Sequence, residues 1–333
     1  MVGFCSSPRY VEHLTGQHHP ERPDRIRAIY AALSKAGMLE GPNPFPAFAL
    51  DFGPLRGSGH KLLELAPEPA DERWLLLVHS PQHVEHVKHV CQLGEGTLDL
   101  GDTTVMDKSY EIALLALGGL LKSADAVMKG QVNAAFAAVR PPGHHAEPGR
   151  SMGFCLFSNL AITARYIQKV YNVGRVAIVD FDVHHGNGTQ AALEEDPTVH
   201  FVSLHQHPRT CYPGTGAEWE NGRGAGAGHT LNIPFMPGAG DADYLKAMEQ
   251  KVLPALDRFK PQVLLIDAGF DAHADDPLAQ IELSEEGFEQ MTRLLSQFAQ
   301  QHCGGRIVSA LEGGYDLRAL GRCVVRHLLA LGA

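Results

Sequence analysis

The sequence has no CxxC pair. Its six cysteines, at positions 5, 91, 155, 211, 303 and 323, are scattered along 333 residues. That spacing indicates neither a thiolate zinc site nor a disulfide framework, so a reducing cytoplasm is the expected setting. No stretch of 18 or more apolar residues occurs, the run that a membrane-crossing helix requires. The opening MVGFCSSPRYVEHL lacks the basic segment followed by an apolar one that marks an export signal, so a soluble, unexported protein with no membrane partner is expected. Positive charge is also short: 28 Lys and Arg against 38 Asp and Glu leave a formal net charge of −10 with histidine neutral. This balance argues against direct binding to nucleic acid and tolerates cationic substrates such as lysine side chains or polyamines. There is no internal repeat and no linker, so residues 1–333 read as a single catalytic domain.

What remains is ordinary globular composition, 44% hydrophobic and 20% charged, with apolar runs and amphipathic stretches in alternation. Strands are expected over 134–139, 175–181, 200–204, 230–233, 263–267 and 306–311. Helices are expected over 24–36, 81–92, 108–128, 160–171, 242–259 and 285–302. Strands alternating with helices along the whole length predict an α/β fold with a central, mainly parallel sheet covered by helices on both faces. The Gly/Pro-rich stretches 41–54 and 214–228 read as long surface loops, and loops of that length are often functional.

The unusual residues gather where strands end. VDFDVHHGNGTQ, residues 179–190, follows the apolar run of the second strand. On an extended chain Asp180, Asp182 and His184 would share one side, with Phe181, Val183 and His185 on the other. Three further strands finish in RPPGHHAEPG (140–149), DAGFDAHADDP (267–277) and LEGGYD (311–316). Ligands bind at the carboxyl ends of strands in open α/β sheets. Asp182, His184 and one aspartate of 267–276 could form an Asp₂His site with open positions, as expected of a catalytic zinc. His144 and His145 could accept and return a proton, and Tyr315 could donate a hydrogen bond to a developing oxyanion.

These motifs, together with GFC, SLHQ, YPGTG and TGQHHPERPDRI, resemble the zinc-dependent histone deacetylase family, nearest its class II and bacterial amidohydrolase branch. The resemblance spans nearly the whole chain. It implies an arginase/deacetylase fold and removal of acetyl or other acyl groups from acyl-lysine, or from a related small acylated amine. It also implies one zinc held by Asp182, His184 and Asp271. His145 would be the general base and acid, and His144 mainly an electrostatic partner oriented by Asp180. Asn187 stands where class I members carry aspartate, so His145 would lack a charged partner. A potassium ion would sit near Asp180, Asp182, His184, Ser203 and Leu204, held largely by backbone carbonyls. Phe154 and Tyr212 would flank the substrate's methylenes, with Gly153, Gly313 and Gly314 close by. Tyr212 departs from the phenylalanine usual there. Asp102 would hold a substrate amide at the rim, and Arg22 would line a product channel. Leu278 fills a position where polyamine-selective relatives place a glutamate.

Other readings compete. Asp271–Asp275, DAHAD, resembles a motif of binuclear manganese hydrolases, which would need further bridging carboxylates. A non-catalytic acyl-lysine reader would require loss of an essential residue, yet Tyr315 is present. His83, His86 and His89 read as a solvated helix face beside the Val84, Val87, Val90 stripe. His185 reads as packing beneath the sheet, and Cys155 as a buried, inert thiol.

Overall fold

The computed structural model describes residues 1–55 and 61–332. Its first half runs β1 (Val2–Cys5), α1 (Asp24–Lys35), β2 (Leu63–Leu65), α2 (Pro81–Gln92), β3 (Glu95–Thr97), β4 (Thr104–Met106), α3 (Ser109–Met128), β5 (Ala134–Ala137) and α4 (Asn159–Tyr171). It continues through β6 (Val176–Asp180), α5 (Asn187–Leu193), β7 (Val199–Gln206), β8 (Thr230–Phe235), α6 (Asp241–Ala247) and α7 (Leu253–Phe259). The last elements are β9 (Val263–Ala268), α8 (Glu285–His302), β10 (Ile307–Leu311) and α9 (Leu317–Leu331). Among the described residues, no helix is long and apolar enough to cross a membrane.

Eight strands form one sheet in the order β2-β1-β5-β10-β9-β6-β7-β8, and every pairing in it is parallel. β5, β6, β7, β9 and β10 are buried along their whole lengths. Their near-continuous apolar text is what a strand covered on both faces requires. β5, β10, β9 and β6 are consecutive neighbours. These are the strands that end in GHHA, EGGY, AGFD and DFDVHH, so the order of the sheet alone brings four distant polar segments to one edge.

The six expected strands are present, and the sheet gains two further strands while β3 and β4 pair as a separate hairpin. β1 and β2 have four and three residues, too short for periodicity to separate them from loops. The helix expected over 242–259 is divided: α6 passes into a π-helical turn, Met248–Val252, before α7, whose first turn holds Pro254. Proline has no N–H for the helical ladder, which accounts for the break there.

The core also holds neutral polar groups. His327 of α9 is fully buried between Thr292 of α8, 2.8 Å from its Nδ1, and Ser309 of β10, 2.9 Å from its Nε2. Because the Thr292 hydroxyl donates to the Phe288 carbonyl, it accepts from His327 Nδ1, leaving Nε2 to accept from Ser309. Burial lowers the imidazole from its usual 6.5 to about 3. Between those values the unfolded chain binds a proton that the folded chain refuses, so stability is lost as pH falls below about 6.5. Urea melts of His327→Gln should therefore show a loss between about pH 7 and about pH 5 that is smaller than wild type by about 2 kcal/mol. An unchanged difference would mean that His327 does not titrate this way.

Candidate active site

β6 ends at Asp180, so Asp182 and His184 stand in the turn beyond it and not on the strand. Their spacing works through a different device. The Asp182 N–H donates to Asp180 Oδ1 at 3.0 Å, and the His184 N–H donates to Asp182 Oδ1 at 2.9 Å. Two successive bonds from residue i+2 to an aspartate side chain wind the turn, a habit of Asp that makes every second residue face its predecessor. Asp271 joins from the segment after β9. Its Oδ1 accepts the Val183 N–H at 2.9 Å, and its Oδ2 lies 3.2 Å from His184 Nδ1. His184 Nδ1 also lies 3.0 Å from Asp182 Oδ1.

All three side chains are buried, and their ligand atoms lie within 4.8 Å of one another. Among the described residues, no lysine or arginine forms an ion pair with either carboxylate. The donor set fits a divalent metal. Bonds of about 2.0 Å in a tetrahedron give ligand separations of about 3.3 Å, close to the two imidazole–carboxylate distances. Burial opposes ionisation of Asp182, yet His144 and His184 hold its carboxyl well below the usual range. For His184, burial opposes the charged form, but the Asp182 and Asp271 carboxylates outweigh it and raise the imidazole well above 6.5. Gly313 closes this side: its N–H donates to Asp182 Oδ2 at 2.8 Å, and a side chain there would run into the Asp271 carboxylate.

The tandem histidines lie beside this group, with rings 4.0 Å apart. His144 Nδ1 is 3.0 Å from Asp180 Oδ2, and His145 Nδ1 is 2.7 Å from Asn187 Oδ1. Burial, then the nearby His144 and His184, push His145 well below 6.5. Asn187 opens α5, whose first turn is fixed to the histidine loop by Gly188 and Thr189 N–H bonds to the His144 carbonyl. A side chain at Gly188 would strike the Ala146 backbone, so the close approach needs glycine.

A cavity of about 320 Å³ opens over the site. His145, Gly153, Phe154, His184, Tyr212, Leu278, Tyr315 and Asp102 all line it, as do His19 and Pro20. Phe154 holds a left-handed backbone, φ 69°, with its N–H on Thr103 Oγ1 at 3.1 Å. Its ring meets His19 at 4.6 Å and Tyr315 at 5.9 Å, both edge to face. Asp102 sits in the turn of the β3–β4 hairpin, where Asp99 Oδ1 accepts three successive backbone N–H groups, from Gly101 to Thr103.

Behind Tyr315 the backbone is held by Asp276, whose Oδ2 accepts the Tyr315 N–H at 2.7 Å and whose Oδ1 accepts the Leu278 N–H at 3.0 Å. Burial, then the charge of Asp271, push the Asp276 carboxyl up to about 7. Gly314 lies beneath the wall, and its carbonyl accepts from Arg25 Nε at 2.8 Å.

Two expectations change. Arg22 is not interior: its side chain is 40% exposed and lies 3.9 Å from Asp24. Among the described residues the buried arginines are Arg25, on the inward face of α1 and 5.1 Å from the Tyr315 ring, and Arg140, both bonded to Glu21. His83 is not solvated, for it is buried and lies 3.1 Å from the Leu156 carbonyl, whereas His86 and His89 are exposed. Asp275 stands apart from the site, 60% exposed and paired with Arg322 at 3.2 Å. Elsewhere, Ser203 and Asp180 are register partners, with Leu204 next along β7. His185 is buried against Thr215 and Gln190, and burial pushes the Cys155 thiol well above its usual range. His19 and Pro20 were within a motif that carried the resemblance. Asp276 had no periodic signal, because it acts through individual hydrogen bonds to backbone N–H groups.

The chain is 43% identical over 309 residues to a histone deacetylase-like amidohydrolase of Pseudomonas aeruginosa, covering 92% of this chain and 75% of that one. It is 36% identical over 317 residues to a probable deacetylase of Archaeoglobus fulgidus, covering 95% and 82%. The crystal structure of the HDA15 HD domain superposes with a TM-score of 0.88 at 36% identity, covering 99% of this chain and 89% of that one. The fold is thus the arginase/deacetylase fold, and relatives so named support a deacetylase-type hydrolase. The family model of the histone deacetylase domain matches residues 19–331, and the chain belongs to that family.

Proposed function

We propose that residues 1–333 act as one zinc-dependent catalytic domain that removes acetyl or other acyl groups from acyl-lysine. The observation that carries this reading is the buried Asp182, His184 and Asp271 group beneath a cavity shared by His145, Phe154, Tyr212 and Tyr315. Two carboxylates and one imidazole balance a divalent ion and leave positions open. Zinc bound there would lower the pKa of a bound water to about 7 and polarise the substrate carbonyl.

The chain's own groups do the rest. His145, kept neutral by burial, accepts a proton from the attacking water and returns it to the leaving amine. His144, anchored on Asp180, contributes charge beside it. Tyr315 donates to the carbonyl oxygen as negative charge builds there. Phe154 and Tyr212 flank the lysine methylenes and exclude water. Asp102 accepts a substrate backbone N–H at the rim. The acetate-channel role passes from Arg22 to Arg25, which is buried 5.1 Å from the Tyr315 ring centroid. Potassium is the ion assigned to the carbonyls around Asp180, Asp182, His184, Ser203 and Leu204.

Leu278 lines the cavity without offering a carboxylate, so acetyl-lysine in a peptide should be hydrolysed at least as well as an acetylpolyamine. A competition assay with the zinc-loaded protein decides this. A strong preference for acetylspermidine would assign recognition to acidic groups elsewhere on the rim, the 214–228 loop first. Absence of hydrolysis on every acyl-lysine and acylpolyamine tried would remove the reading.

A further inference from the structure

Asn187 does not stand alone against His145. Its Oδ1 is 2.7 Å from His145 Nδ1, and its Nδ2 donates to Glu147 Oε1 at 2.9 Å. A primary amide can turn over, exchanging acceptor for donor with almost no change of shape. Here charge blocks the turn. A carboxylate only accepts, so an amide oxygen facing Glu147 would set two acceptors against each other. The remaining atoms near Nδ2, the His145 carbonyl at 3.4 Å and Met152 Sδ at 3.4 Å, are acceptors as well. With the amide oxygen committed to His145, the neutral imidazole must carry its hydrogen on Nδ1 and leave Nε2 as the acceptor.

Glu147 is itself fixed. Arg150 grips both of its oxygens, Nε to Oε2 at 2.9 Å and Nη2 to Oε1 at 2.8 Å. Backbone bonds in both directions, 2.9 and 3.3 Å, close the turn between the two residues. The order of hydrogen bonds is therefore Arg150, Glu147, Asn187, His145, and each link dictates the direction of the next.

We propose that Glu147 is a positioning residue that sets the orientation of the Asn187 amide and, through it, the Nδ1-protonated tautomer of His145. This rests on the reading of His145 as the proton acceptor. An asparagine partner is ambiguous by itself, because either end of the amide satisfies one of the two neutral tautomers. Glu147 removes that ambiguity from a position outside the cavity lining. The imidazole then meets the water with a lone pair on Nε2. Its carboxylate also stands two hydrogen bonds from the imidazolium formed during turnover, where a negative charge is favourable.

Exchange of charge tests this. Glu147→Lys offers only donors, which draws the amide oxygen away and turns Nδ2 toward His145. The proton then moves to Nε2, the wrong nitrogen for a base. In serine hydrolases a wrong tautomer lowers kcat by about 10⁴; here, with the amide free to return, kcat should fall by about 10² while KM changes little. Asn187→Asp has no donor to misplace, so in Glu147→Lys/Asn187→Asp the lysine pairs with the new carboxylate and His145 keeps its Nδ1 hydrogen. That double variant should recover to within about tenfold of wild type, although Glu147→Lys alone is harmful and Asn187→Asp alone sets a second carboxylate against Glu147. A damaged surface turn would show no such recovery.

The tautomer can also be read without turnover, from two-bond nitrogen–proton correlations of the His145 ring, assigned by their loss in His145→Ala. Wild type should carry Nδ1–H and Glu147→Lys should carry Nε2–H. If Glu147→Lys does not fold, Glu147→Gln, which admits both amide orientations, should give a mixture. Wild-type kcat in folded Glu147→Lys, a double variant no better than that single, or a pure Nδ1 tautomer in Glu147→Gln would each overturn the proposal. Should the chain prove not to be a deacylase, the functional reading falls, and the tautomer measurement still judges Glu147.

Discussion

Asp182→Ala should lose its metal and its activity together. Asp182 is the most connected of the three proposed ligands: Oδ1 accepts the His184 N–H and lies 3.0 Å from His184 Nδ1, while Oδ2 accepts the Gly313 N–H. Truncation removes one of two balancing negative charges and releases the turn that aims His184. Loss of a group that merely orients a ligand costs about 10- to 100-fold in metal affinity, so loss of a ligand should cost more. Turnover that depends on a water acidified from about 15.7 to about 7 should fall by at least about 10³. Elemental analysis of wild type should find one zinc per chain, and chelation should abolish activity until metal is restored. Asp275→Ala is the control, since Asp275 faces Arg322 at the surface, and it should keep both metal and turnover. Two equivalents of metal, both required, would move the site to the binuclear reading. Full zinc content in Asp182→Ala would remove Asp182 from the ligand set.

The position of this group was legible in the sequence for a reason only partly right. Alternation on a strand does put every second residue on one side, but β6 stops at Asp180 and the pattern continues through aspartate-to-backbone bonds. The spacing DxDxH survives the change because both devices have period two. Helix phase was harder. Arg22 and Arg25 stand three residues apart in one motif, and although a helix from residue 24 is what the sequence predicts, Arg22 lies before it and only Arg25 turns inward. With Asp24 as its first residue, Arg25 shares the buried face with Ile26 and Ile29. The turn of the β3–β4 hairpin was not legible either, because three N–H bonds to Asp99 organise it and no apolar pattern does. Glu147 and Asp276 fall in the same class. A carboxylate that acts through a side-chain amide or a few backbone N–H groups leaves no periodicity in the text, so only the folded structure reveals it.

Tyr315→Phe should separate turnover from everything else the site does. Tyr315 lines the cavity, with its N–H on Asp276, the Arg25 guanidinium 5.1 Å from its ring centroid and the Phe154 ring edge to face at 5.9 Å. Those contacts use the ring and the backbone, and phenylalanine keeps them. The hydroxyl is what changes. Burial, then the charges of Asp271 and Asp182, hold it well above its usual 10, so it remains a hydrogen-bond donor throughout the neutral range. A donor aimed at the carbonyl oxygen matters little before attack and greatly as negative charge builds. The loss should therefore fall on the transition state: kcat lower by about 10² to 10³, or about 3 to 4 kcal/mol, with KM little changed. Zinc content and Tm should stay near wild type, because neither the ligands nor the packing is touched. Full kcat on an acetyl-lysine peptide, with zinc bound, would end the oxyanion assignment. Loss of zinc or a lowered Tm would instead make the hydroxyl structural, and stabilisation of the oxyanion would pass to the metal and His144.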